Sequence, residues 1–181
     1  NLSIVNSCID NRGIPDSLGD LVNLKSLEII NSRKLFITGT ATNPMVHEPL
    51  TSRIFGRPHG PTRADVRHAP SVIPILSRLE NLEVLNLSCL YLTSLPFERM
   101  TNLRILVLNA TFLATIPDWV GTLPDLGVLS INESETRHIN YPPGSFPSLL
   151  SISATNTVNL TPNSVQNLTR LRLAAAQRAD E

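Results

Sequence analysis

Apolar residues recur along this chain in a fixed figure. The stretch 100–131, MTNLRILVLNATFLATIPDWVGTLPDLGVLSI, carries L-x-x-L-x-L or its near copy twice, 23 residues apart. Stacking every such copy on its first leucine gives a column Leu24, Leu82, Leu103, Leu126, Leu149 and Leu168. Three residues on stand Leu27, Leu85, Leu106, Leu129, Ile152 and Leu171. Two further on stand Ile29, Leu87, Leu108, Ile131, Ala154 and Leu173. Three residues before the first column stand Leu21, Leu79, Met100, Leu123, Phe146 and Val165. All 24 positions are apolar in a chain that is 41% apolar, so the period is real.

Apolar residues two apart, such as Leu106 and Leu108, fall on one face of a short strand. One such strand cannot bury its face alone, whereas stacked copies form a parallel sheet over a continuous core. No i, i+3, i+4, i+7 stripe runs through a whole copy, which argues against a helical repeat. Between the strands, GIPDSLGDL (13–21), SLPFERM (94–100) and TIPDWVGTL (115–123) place a proline ahead of a short apolar turn. Proline suits the start of a short helix or 3₁₀ turn, and Asp16 and Asp118 follow where a carboxylate favours a helix start. VIPILSRL (72–79), NYPPGSF and NLTPNSV are looser copies.

With these motifs the chain resembles a leucine-rich repeat protein over about residues 1–37 and 72–175. IPDSLGDLVNLKSLEI and IPDWVGTLPDLGVLSI are most similar to plant-type repeats, as in receptor ectodomains and nucleotide-binding immune receptors. The resemblance implies an α/β fold: a horseshoe solenoid with a short-strand parallel sheet on the concave face and 3₁₀ or short helical turns on the convex face. Two departures stand out. The family's asparagine after the strand is replaced by Ser32, Leu90, Thr111, Ser134 and Thr157, and first-column spacings wander between 19 and 23. An irregular solenoid is therefore expected. NLSIVNSCIDNRGIP reads as a strand-to-proline segment with Leu2 and Ile4 in the strand columns. AAAQRADE reads as a tail or a cut rather than a folded cap. The expectation is one repeat domain over 1–181, a fragment of a longer chain, with other chains as partners that could cover bare solenoid ends.

From Leu24 to Leu82 there are 58 residues where one repeat needs about half as many. The excess, residues 39–71, is rich in Pro, Arg and His and lacks the apolar columns. It reads as an irregular surface insertion. A degenerate repeat seeded by LTSRIF and a basic docking loop remain the alternatives.

Composition narrows the function classes. Net charge is zero, giving no bulk attraction for nucleic acid, and aromatics are 4%, too few for base stacking. No apolar run is long enough to insert in a membrane as a helix. Cys8 and Cys89 do not make a disulfide framework. His47, His59 and His68 are too widely spaced for a metal site, no nucleophile has a base arranged beside it, and no glycine loop cradles phosphate. The reading is a non-enzyme without cofactor or metal.

The expected working surface is the concave face, built from residues alternating with the buried columns. Its candidate binding residues are Glu28, Val84, Asn86, Ile105, Val107, Asn109, Val128, Ser130 and Asn132, with Arg170 and Arg172 on the last copy. A Ser/Asn surface with an aliphatic stripe suits a protein or peptide partner. The function expected is a protein-recognition module of a larger receptor or adaptor, of immune type; the alternative is a structural subunit of a large assembly. Six Asn-x-Ser/Thr sequons occur, and those at Asn86, Asn109 and Asn132 fall on the same face, where glycans would cover it. That placement leans to an intracellular chain, the alternative being an extracellular receptor ectodomain.

Overall fold

The computed structural model describes residues 1–5, 14–30, 36–37, 73–92, 94–95, 100–139, 141–142, 144–157 and 160–180. Six strands form one parallel sheet in the order β1 (Leu2–Val5), β2 (Ser26–Ile30), β4 (Val84–Asn86), β6 (Ile105–Val107), β7 (Val128–Ser130) and β8 (Ser151–Ser153). The register aligns the repeat columns: Leu2, Leu27, Leu85, Leu106, Leu129 and Ile152 pair in sequence across the sheet. From Leu27 onward these side chains are buried, as are Ile29, Leu87, Leu108, Ile131 and Ala154 two residues on. The architecture is a parallel-strand solenoid with the layout expected of leucine-rich repeats.

The turns between strands follow their prolines. Pro15 precedes a 3₁₀ helix at Asp16–Asp20, and Pro117 precedes helix α2 (Asp118–Gly121). Helix α1 (Ile73–Leu76) occupies the matching place before β4. Leu18, Leu76 and Val120 from these turns join the same core as the strand leucines. In each case a proline stands where a missing N–H costs nothing.

Strands β2 and β4 lie side by side although 53 residues, 31–83, separate them in the chain. Lys25 bonds Glu83 at 2.8 Å, and Asn81 Nδ2 donates to the Val22 carbonyl at 2.8 Å across this junction. Asn102 repeats the second contact on Glu80 in the next copy. The expected insertion at 39–71 lies outside the described residues.

Three expectations are corrected. The sixth copy, at Val165, Leu168, Leu171 and Leu173, is not a strand: it lies in helix α3 (Pro162–Ala179). Leucines three apart fit one face of a helix as well as a repeat column, and here Ser164, Leu168, Leu171 and Ala175 form the buried stripe. Val165 and Leu173 point outward and are exposed, as is Leu21 near the other end of the stack. The segment AAAQRADE is no loose tail, since the helix runs through Ala179 and buries Ala175. Thr161 caps it from the preceding position, its hydroxyl accepting from the Ser164 N–H, with Pro162 in the first turn. Arg170, Arg172 and Arg178 reach back to the carbonyls of Tyr141, Ile152 and Leu149. Arginine donors thus satisfy three backbone acceptors, one of them, the Ile152 carbonyl, on the last strand of the sheet.

A second ladder, unanticipated by the repeat columns, joins β3 (Phe36–Ile37) to β5 (Tyr91–Leu92) in parallel. A single bridge, Thr115 to His138, continues the same arrangement two copies later.

Candidate recognition surface

Strands β2, β4, β6 and β7 alternate buried and half-exposed residues, so one face of the sheet makes the core and the other faces out. The register places Val84, Ile105 and Val128 directly beside one another on the outward face, with Ser26 and Ser151 closing the row at either end. All three aliphatic side chains are half-buried. The next outward row is Glu28, Asn86, Val107, Ser130 and Ser153. Three half-exposed aliphatics in register across three strands form a small apolar stripe inside a polar border.

Part of the border is bonded from copy to copy. Asn109 Oδ1 accepts from the Asn132 backbone N–H at 2.9 Å and from Ser130 Oγ at 2.7 Å. One copy later, Asn132 Oδ1 accepts from the Thr155 N–H at 2.8 Å and from the hydroxyls of Ser153 and Thr155. Asn86 Oδ1 accepts from the N–H and hydroxyl of Ser88 in its own copy. A backbone N–H can only donate, so these contacts fix each amide with its oxygen toward the network. Asn132 Nδ2 returns to Ser130 Oγ.

After β4, β6, β7 and β8 the chain turns through a left-handed residue: Cys89, Ala110, Glu133 and Asn156 have φ between 52° and 58°. The following residue is buried in the described copies at Leu90, Thr111 and Ser134. Thr111 and Ser134 donate to the Leu108 and Ile131 carbonyls three residues back, while Leu90 fills its place with hydrocarbon. The asparagine absent from that column is thus replaced by a local hydroxyl bond. Links to the neighbouring copy come instead from Asn109 and Asn132, and from Thr136 and Thr157, which donate to the carbonyls of Leu113 and Ile131.

On the other flank of the stripe lie Lys25, Glu83 and Arg104. The Lys25 ammonium bonds Glu83 and holds its carboxyl below the usual carboxylate range, with Arg104 adding to the effect. Arg104 is exposed beside Ile105 and forms no ion pair among the described residues.

The expected face residues therefore divide. Glu28, Val84, Asn86, Ile105, Val107, Asn109, Val128, Ser130 and Asn132 all stand on the outward side of the sheet and its turns. Arg170 and Arg172 do not: they belong to helix α3, where they bond backbone carbonyls. Cys8 and the histidines at 47, 59 and 68 lie outside the described residues. Among the described residues no group of three or more His, Cys, Asp and Glu is placed to hold a metal ion. Nor is any described helix long and apolar enough to cross a membrane. The bonding of Asn109 and Asn132 to the next copy was the feature missed in the sequence. Its signal was their 23-residue spacing, repeated by Ser130 and Ser153.

No protein-family model and no curated protein matches the chain. Among solved structures it is similar to an internalin C2 from Listeria monocytogenes, with 13% identity and a TM-score of 0.47. The alignment covers 78% of this chain and 56% of that one, so the matched region is a little over half of the internalin. At that identity and score the likeness carries nothing about function. The fold assignment stands on the strand register and the buried columns.

Proposed function

We propose that this chain is a non-catalytic protein-recognition module whose working surface is the outward face of the six-stranded sheet. The observation that carries the reading is the in-register stripe of Val84, Ile105 and Val128, half-exposed and bordered by amides and hydroxyls. Such a surface offers apolar contact at its centre and polar groups at its rim, as protein interfaces do. Among the described residues the face and its flank carry three carboxylates, Glu28, Glu83 and Glu133, against two cations, Lys25 and Arg104, which argues against a polyanion as partner. The plant-type segments IPDSLGDLVNLKSLEI and IPDWVGTLPDLGVLSI support a place within a larger receptor or adaptor of immune type.

Methyl-labelled NMR tests the surface directly. Peptides selected from a display library on the folded chain are titrated into it. The methyl signals of Val84, Ile105, Val107 and Val128 are expected to move, while those of buried Leu108 and Leu129 stay nearly in place. Shifts confined to residues of the helical turns, such as Val120, would sink the assignment.

A further inference from the structure

The strands under the stripe have no backbone left to offer. β4 pairs with β2 and β6, β6 with β4 and β7, and β7 with β6 and β8. An extended peptide gains much of its affinity by adding main-chain hydrogen bonds to a free sheet edge, which these three central strands do not present. A helix satisfies its own backbone internally and binds through side chains alone.

Spacing gives an independent discrimination. Neighbouring strands lie about 4.8 Å apart, so Val84 and Val128, two strands apart, are separated by about 10 Å along the stripe. A helix rises about 1.5 Å per residue, so its side chains at i, i+3 or i+4, and i+7 lie about 5 Å and 10 Å along its axis. They meet the three strands one for one. An extended chain repeats on one face every 6.6–6.8 Å or so, and after two steps it has overshot by about 3–4 Å, most of a strand spacing. The row ends at Ser26 and Ser151, so the apolar contact has the length of two helical turns.

The flanks set the chemistry. Arg104 adjoins Ile105 at the middle of one side, with no ion pair among the described residues, while Glu83 is held by Lys25. On the other side the amide oxygens of Asn86 and Asn109 are already committed, to Ser88 and to Ser130 and Asn132.

We propose that the outward sheet face takes an amphipathic helix of a partner protein, lying across β4, β6 and β7. It presents aliphatic residues at i, i+4 and i+7 to Val84, Ile105 and Val128 and an acidic side chain to Arg104. The proposal rests on the reading of this face as the recognition surface and adds the form and charge of the occupant.

The test uses a lactam-stapled, fluorescein-labelled helical peptide with leucine at i, i+4 and i+7 and glutamate along one flank. Binding to the folded chain is followed by anisotropy. The stapled peptide is expected to bind, with Ile105→Asp and Val128→Asp each weakening it about tenfold or more. Arg104→Glu, a change on an exposed side chain, should weaken the glutamate-flanked peptide and strengthen a lysine-flanked one. If a proline-broken peptide with the same side chains binds as tightly as the stapled one, the helix is overturned while the face stands. If the stapled peptide does not bind, or binds without responding to any of the three substitutions, the occupant is overturned. Methyl shifts of Val84, Ile105 and Val128 with the selected peptides would then decide the face separately.

Discussion

Asn109 and Asn132 show how one residue type carries two messages in a repeat. In the sequence they read as face residues and as glycan acceptors; in the structure their amide oxygens join one copy to the next. Their sequon partners, Thr111 and Ser134, are buried hydroxyls that bond the strand just left. Two structural columns, two residues apart, therefore generate Asn-x-Ser/Thr in successive copies without any call on glycosylation. The left-handed turn between them makes a prediction. Ala110 sits at φ 52°, where an L-residue costs about 1–2 kcal/mol, and glycine gives back part of that gain as unfolded-chain entropy. Ala110→Gly is expected to stabilise the chain by roughly 0.5–1 kcal/mol, read from the urea midpoint. Asn156→Gly, at φ 55°, should gain less because asparagine tolerates this conformation. A lower midpoint for Ala110→Gly would mean that the turn stores no strain. In the column beneath, Leu106 and Leu129 are at most 1% exposed, and either change to Ala should cost about 2–5 kcal/mol. A mutant melting with the parent would place those side chains outside the core.

At the level of elements, the sequence was legible where period and environment agreed. The strands at Leu27, Leu85, Leu106, Leu129 and Ile152 lie where the columns put them, because each leucine pair has one face to bury. The last copy misled, since Leu168-x-x-Leu171 satisfies a helix as readily as a repeat. Thr161-Pro162, a capping residue before proline, was the sign of the helix start. Losing that strand also took Arg170 and Arg172 off the outward face of the sheet. The β3–β5 ladder was not legible, because two-residue strands are too short to show alternation. On the outward face, the apolar stripe could be read from residues alternating with the leucines. The bonding of its border was missed, because hydrogen-bond partners 21 to 26 residues apart leave no local pattern and show only as the 23-residue recurrence of Asn109 and Asn132. The pairing of β2 with β4 is made by residues on either side of the insertion, through Leu27 with Leu85 and Lys25 with Glu83. We propose that residues 40–69 can be removed and bridged by a short Gly/Ser linker with the stack intact. Circular dichroism and a single cooperative melt of the shortened chain check this; aggregation would show that the segment contributes core.

At the scale of the whole molecule, the solenoid buries one side of its strands and leaves the other outward. The inward columns and the turn residues Leu18, Leu76 and Val120 make one core, and helix α3 lies over its last strand. The opposite side of the same strands faces outward, with Val107 near the middle of the sheet on β6. Trp119 provides the comparison, since it sits on helix α2 and donates its indole N–H to the Leu95 carbonyl, away from the sheet face. The decisive measurement is the affinity of a display-selected peptide for Val107→Asp and for Trp119→Ala, each first shown to be folded by circular dichroism. Val107→Asp sets a carboxylate into the desolvated contact and is expected to weaken binding by about two orders of magnitude or more, with Trp119→Ala close to the parent. Full binding by Val107→Asp, with loss only in Trp119→Ala, would move the interface to the helical side of the solenoid and contradict the account.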